Sequence, residues 1–196
     1  MDRRQFLEAI AGFSTLVPGL ALLPATEQQA FAAAVHQRAG ARAALGTLSS
    51  AQDETLSCIA EILLPESDTV GARGVGVNRF IDLLLTESML ASDRDRFLSG
   101  LEEIDARSRS LYGVPLTSAR REDQESLLRA LDAKLPTRPP SPQEAEALER
   151  EPVTAEHGYA QLKQLVVFAY FTSEPVARGL INAPIIPGRY DGCVSA

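Results

Sequence analysis

The stretch VNRFIDLLL, residues 77–85, constrains this chain more than any other. Val77, Phe80, Ile81, Leu84 and Leu85 recur at i, i+3, i+4, i+7 and i+8, which is one face of a helix and fits no alternating strand. The same period returns elsewhere. In ETLSCIAEILL it brings Leu56, Ile59, Ala60 and Leu63 to one face, and Pro65, with no N–H to give, ends that helix. Ser50 and Asp53 fit its N-cap and N3 positions. Over about 91–111, Phe97, Leu101, Ile104, Ser108 and Leu111 form a stripe that stops at Gly113 and Pro115. Over about 118–135, Leu127, Leu128, Leu131 and Leu135 face inward. YAQLKQLVVFAYF is amphipathic at first and apolar all round by Val166–Phe171, so a buried central helix is expected there.

No repeat and no β-meander is visible. The expected fold class is therefore all-α: a small irregular helical domain over 48–196, with long loops and an extended C-terminal tail. The long loops fall at 65–76, 136–156 and 181–196, and loops of that length in a compact domain commonly serve a function such as gripping a partner. The segment LPTRPPSPQEAEALEREPVT reads as surface loop, with one helical turn expected at Ala145–Glu149. Residues 33–47, rich in Ala and Gly with little period, read as a linker or a frayed helix.

The chain opens with MDRRQFLEAIAGFSTLVPGLALLPA. Arg3 and Arg4 form a short cationic flag, a weakly apolar run follows from Ala9 to Ala25, and small residues come after it. Gly12, Ser14, Thr15, Pro18 and Gly19 keep this run too polar for a permanent anchor. Arg3, Arg4, Phe6 and Leu7 together resemble the twin-arginine export signal, which carries proteins already folded; Glu8 stands where that pattern often has Lys. Ala30-Phe31-Ala32 offers a cleavage pattern after Ala32, with Leu23-Pro24-Ala25 the poorer alternative, so 1–32 is expected to be the signal and 33–47 the linker. An exported, periplasmic protein is the localisation this implies.

The net charge is -7 without a basic stripe, which argues against a nucleic-acid partner. Beyond the signal, no apolar segment is long enough to span a bilayer. The two histidines, His36 and His157, belong to no His/Cys cluster at a metal spacing, and no haem or iron–sulfur motif occurs. Gly71–Gly76, GARGVG, lacks the preceding strand a dinucleotide loop needs and reads as a turn between helices. Ser67 has no nucleophile elbow around it, and Glu102 and Glu103 read as a solvated helix face. No catalytic, cofactor-binding or metal residue is expected in this chain. Tyr170 and Phe171, in FAYFTS, read either as core or as a face turned to a partner. Of the two cysteines, Cys58 sits in an apolar helical pattern and reads as a buried thiol. Cys193, near the C-terminus, can bridge to Cys58, bridge to a partner or stay free. A tail ordered by a partner favours the second.

IAEILLPESDTVGARGVGVNRFIDLLL, FLSGLEEID, QLVVFAYFTSEPVARGL and PGRYDGC, in that order, resemble the gluconate 2-dehydrogenase subunit 3 family. The features that carry the resemblance are Asp68-Thr69, Gly71-Ala72, Val77, Phe80-Ile81-Asp82, Thr172-Ser173-Glu174 and the segment Pro187–Cys193. The resemblance implies a non-catalytic small subunit. Its large partner would resemble the glucose-methanol-choline flavoproteins, bind FAD and oxidise a sugar or sugar acid, and a cytochrome c subunit would take the electrons. The small subunit would supply the export signal for the folded pair and meet the membrane only through the complex, at the inner membrane. Tyr170, Phe171, Ile185, Ile186, Pro187, Tyr190 and Cys193 are the residues expected at the partner contact. Gluconate, glucose, fructose and 3-keto-forming glycoside oxidation all stay open as the partner's reaction. The reading from a different class is a free-standing periplasmic helical module that binds a small ligand.

Overall fold

The structure, a computed structural model, describes residues 24–136 and 150–179 and, between these ranges, residues 138, 144 and 147. Among the described residues it is helical throughout, with no strand. The principal helices are α1 (Ala25–Ala41), α2 (Ser50–Leu63), α3 (Val77–Glu87), α4 (Ala91–Tyr112), α5 (Arg121–Asp132), α6 (Ala155–Phe171) and the short α7 (Glu174–Gly179). A 3-10 turn at Leu116–Ser118 precedes α5.

The central helix is α6, as its all-round apolarity predicts. It packs against α2, α3, α4, α5 and α7, and Leu162, Leu165, Val166, Phe168 and Ala169 are buried on it. Val77, Phe80, Ile81, Leu84 and Leu85 of α3 are all fully buried, so the nine-residue stretch that predicts the fold sits in the middle of the core. Helices α4 and α6 cross at close range. Gly100 and Gly158 meet there backbone to backbone, and a Cβ on Gly100 would lie 2.5 Å from the Gly158 Cα. Larger residues would hold the two axes apart.

Local chemistry sets the helix ends. The N-cap of α2 is Ser49, one residue before the expected Ser50. Its hydroxyl accepts from Gln52 N at 3.3 Å while the Gln52 side-chain carbonyl accepts from Ser49 N at 3.0 Å, a reciprocal capping box. Asp53 is thereby free for another task, and its carboxylate accepts from Asn78 Nδ2 at 2.8 Å, tying α2 to α3. Gly76 before α3 and Gly113 after α4 have φ of 72° and 77°, the left-handed region that a side chain disfavours. Phe97, Leu101, Ile104 and Ser108 of α4 are buried as expected, but Leu111 is 58% exposed. It stands in the final turn, where Tyr112 instead packs against the core.

Of the two readings of residues 33–47, a linker or a frayed helix, the helix holds over 33–41. Those residues form the second half of α1, whose Ala32, Val35 and Ala39 are buried against α3. Small alanines allow this close packing, yet they leave almost no hydrophobic period for a sequence reading to detect. The connector from α1 to α2 is held by one side chain. Asp82 of α3, 3% exposed, accepts hydrogen bonds from Gly46 N at 2.7 Å, Thr47 N at 2.9 Å and Leu48 N at 2.8 Å.

His36 joins α1 to both α3 and the end of α6. Its ring centroid lies 4.3 Å from that of Phe80, and its Nε2 lies 3.2 Å from Thr172 Oγ1. Burial pushes the imidazole from 6.5 down to about 4, and a hydrogen bond to the Ala169 backbone opposes that shift. Below about 6.5 the unfolded chain takes up a proton that the folded chain refuses. The contribution is therefore whole above that pH and is lost as pH falls towards about 4. Denaturant unfolding at pH 7 and pH 4.5 should show wild type losing about 2 kcal/mol more than His36→Gln over that interval. Equal losses in the two proteins would contradict this placement of His36.

Candidate functional site

Two of the segments that carry the family resemblance converge at one end of the bundle. The 64–76 loop leaves α2 and folds back on it: Ala72 N donates to the Leu64 carbonyl at 2.9 Å, and Ser67 N to the Thr69 carbonyl at 3.1 Å. The Glu61 carboxylate accepts from Glu66 N at 3.2 Å and Arg73 N at 3.3 Å, which fastens both limbs of the loop to α2. Gly71 is required here, since a Cβ would lie 2.6 Å from Glu66 N. Pro65, Glu66, Ser67 and Asp68 are left exposed at the tip.

The last turn of α6 secures this loop from below. The Tyr170 hydroxyl donates to the Val70 carbonyl at 2.8 Å and lies 3.5 Å from Thr69 Oγ1. The Thr172 hydroxyl donates to the Phe168 carbonyl at 2.7 Å, and the Ser173 hydroxyl to the Tyr170 carbonyl at 2.7 Å. Both carbonyls also accept from a backbone N–H, Phe168 from Thr172 N at 3.0 Å and Tyr170 from Ser173 N at 3.1 Å, so the hydroxyls add a second bond at each. Ala177 N then bonds the Ser173 carbonyl at 2.9 Å, and α7 buries Val176 under the turn. The result is an end formed by the loop, the α6 terminus and α7, in which the Tyr170, Thr172 and Ser173 hydroxyls are bonded to the chain's own backbone.

Tyr170 is 4% exposed, so its ring belongs to the chain's own core and its hydroxyl is already used. Phe171 is half-buried and meets Tyr170 edge to face, with centroids 5.2 Å apart at 88°. Ile185, Ile186, Pro187, Tyr190 and Cys193 lie outside the described residues, as do Arg3, Arg4, Phe6 and Leu7. Of the helical turn expected at Ala145–Glu149, only Ala147 is among the described residues, and it is helical.

The glycines of GARGVG make a turn, as expected, and Val77 N at the start of α3 is bonded to the Ala72 carbonyl at 3.2 Å. Cys58 is a half-buried free thiol whose pKa burial raises above 9.0, with Arg121 and Arg73 pulling the other way. A raised pKa makes it a poor nucleophile. Glu102 and Glu103 are exposed on α4. Among the described residues no group of three His, Cys, Asp or Glu could hold a metal ion. No described helix is long and apolar enough to cross a membrane.

Two grooves of about 390 and about 380 Å3 are shallow and open to solvent. The second, between α2, α5 and α6, is bordered by charges that pair with one another. Arg121 and Arg129 both bond Glu125, at 2.8 Å each, and Lys163 bonds Asp132. Tyr159 reaches Asp132 at 3.4 Å, and burial followed by that carboxylate raises its pKa. This is a solvated ion-pair surface rather than a preorganised binding pocket.

A family model described as gluconate 2-dehydrogenase subunit 3 matches residues 50–188. No curated protein and no solved structure matches the chain.

Proposed function

The chain belongs to the gluconate 2-dehydrogenase subunit 3 family, and from that premise we propose that it is the small subunit that folds with, stabilises and exports an FAD-dependent dehydrogenase. Membership makes it an accessory subunit of a dehydrogenase complex; the rest is our reading. The match over residues 50–188 carries it. The structure supports it, since the buried polar side chains Asp82, Tyr170, Thr172 and Ser173 all serve the chain's own backbone. The chemistry is assigned to a flavoprotein partner of the glucose-methanol-choline type that holds the FAD and oxidises a sugar or sugar acid. A cytochrome c subunit takes the electrons, and the complex works in the periplasm at the inner membrane.

The partner contact is placed at the 65–76 loop, Phe171 and the tail with Ile185, Ile186, Pro187, Tyr190 and Cys193. The exposed loop tip is held in one shape before any partner arrives, which lowers the entropic cost of association. Arg3 and Arg4 then act for two proteins. With both changed to Lys, this chain and the flavoprotein should both stay in the cytoplasm, as read by fractionation and immunoblot. A flavoprotein that still reaches the periplasm in that variant would overturn the escort role.

A further inference from the structure

We propose that α1 is an integral part of the mature domain, and that removal of the export signal cuts the Ala21–Leu22 bond rather than the bond after Ala32. The cut rests on the export reading above, whereas the place of α1 in the domain does not.

The Ala30-Phe31-Ala32 pattern lies in the middle of α1, which runs from Ala25 to Ala41. Ala32 is 0% exposed and Val35 5%, Phe31 packs against the core, and His36 stacks on Phe80. A peptidase holds its substrate as an extended strand, which rises about 3.3 Å per residue against about 1.5 Å in a helix. A cut after Ala32 thus requires several residues on each side to unwind. That would pull Ala32, Val35 and His36 away from α3 and Thr172. Segments packed in the core open far more rarely than termini. A twin-arginine passenger crosses folded, so α1 is in place when the peptidase meets it.

A cleavage pattern is also present ahead of the helix. Gly19-Leu20-Ala21 puts small residues at the first and third positions before the Ala21–Leu22 bond. Leu23-Pro24-Ala25 is less suitable in two ways. It has a bulky Leu23 at the third position, and a cut after Ala25 would remove Pro24. The Pro24 carbonyl accepts from Glu27 N at 2.9 Å and Gln28 N at 3.1 Å, so it closes the first turn of α1.

The test is the intact mass of the chain recovered from the exported complex. Wild type should begin at Leu22, Ala21→Asp should keep the whole signal, and Ala30→Asp, at an exposed position of α1, should match wild type. A mature chain that begins at Ala33, with processing blocked by Ala30→Asp, would overturn the proposal. A wild-type chain that begins anywhere other than Leu22, Met1 included, would overturn the Ala21 assignment. A second arm needs no export. Elastase, which cuts after small residues, is applied to full-length chain purified from the cytoplasm. Cuts within 30–35 should be at least about tenfold slower than cuts ahead of residue 25. Comparable rates would show that α1 is not part of the folded domain, whether or not the export reading holds.

Discussion

Asp82→Ala should lower the unfolding free energy by about 3–4 kcal/mol, the largest loss expected from any single side chain described above. The Asp82 carboxylate is 3% exposed and accepts three backbone N–H bonds, from Gly46, Thr47 and Leu48. Removing it leaves those three donors without their acceptor in a partly buried loop, and an unmet buried donor costs about 1–3 kcal/mol. Water reaching Gly46 and Thr47 will recover part of that, so the full sum is not reached. Asp82→Asn should lose less, because its Oδ1 can still accept from Thr47 N and Leu48 N while its NH2 turns a donor only towards Gly46 N. The same loss would loosen the start of α2, since Leu48 immediately precedes its Ser49 cap. Denaturant unfolding of the two variants measures this. A loss under about 1 kcal/mol in Asp82→Ala would contradict the clamp.

Gly158→Ala should destabilise by about 3 kcal/mol, against the direction that helix propensity alone gives. Within a helix, Gly to Ala normally gains about 1 kcal/mol. In α6 the added methyl would run into the Gly100 backbone of α4, which is not a flexible side chain that can swing aside. The two axes must separate, and the contacts of the most extensive helix pair among the described residues open with them. Gly40→Ala supplies the control. It lies in α1 with nothing within 4 Å of a new Cβ, so it should gain up to about 1 kcal/mol. Melting temperatures of the two variants should move in opposite directions. A stabilised Gly158→Ala would show that α4 and α6 do not approach this closely.

The residues differ in how much of this they announce. Large apolar side chains at helical spacing declare themselves, so α3 and the central α6 are readable from VNRFIDLLL and QLVVFAYF alone. Helix α1 is hidden because Ala32 and Ala39 bury little area each and are separated by other alanines. Asp82 is hidden for a different reason. Its partners are backbone N–H groups 34 to 36 residues away, and no sequence pattern records them. The capping box fell one residue off because Ser49 and Ser50 are chemically alike, and only the Gln52 side chain separates them. At the candidate site, Tyr170 could be read as core or as partner surface from its neighbours. The carbonyl of Val70, 100 residues away, decides for the core. Several residues that carry the family resemblance thus turn out to hold the fold: Thr69 and Gly71 in the loop, Asp82 in the clamp, Thr172 and Ser173 at the α6 terminus.

The central claim is that this chain is the accessory partner of a flavoprotein dehydrogenase, and co-purification tests it most directly. An affinity tag on this chain, recovered from exporting cells, should bring down an FAD-containing polypeptide in near-equal molar amount. The complex should oxidise a sugar or sugar acid, the small chain separated from it should not, and the flavin absorbance should follow the large chain. A tagged chain that purifies alone as a monodisperse species, or that oxidises a sugar by itself, would contradict the account.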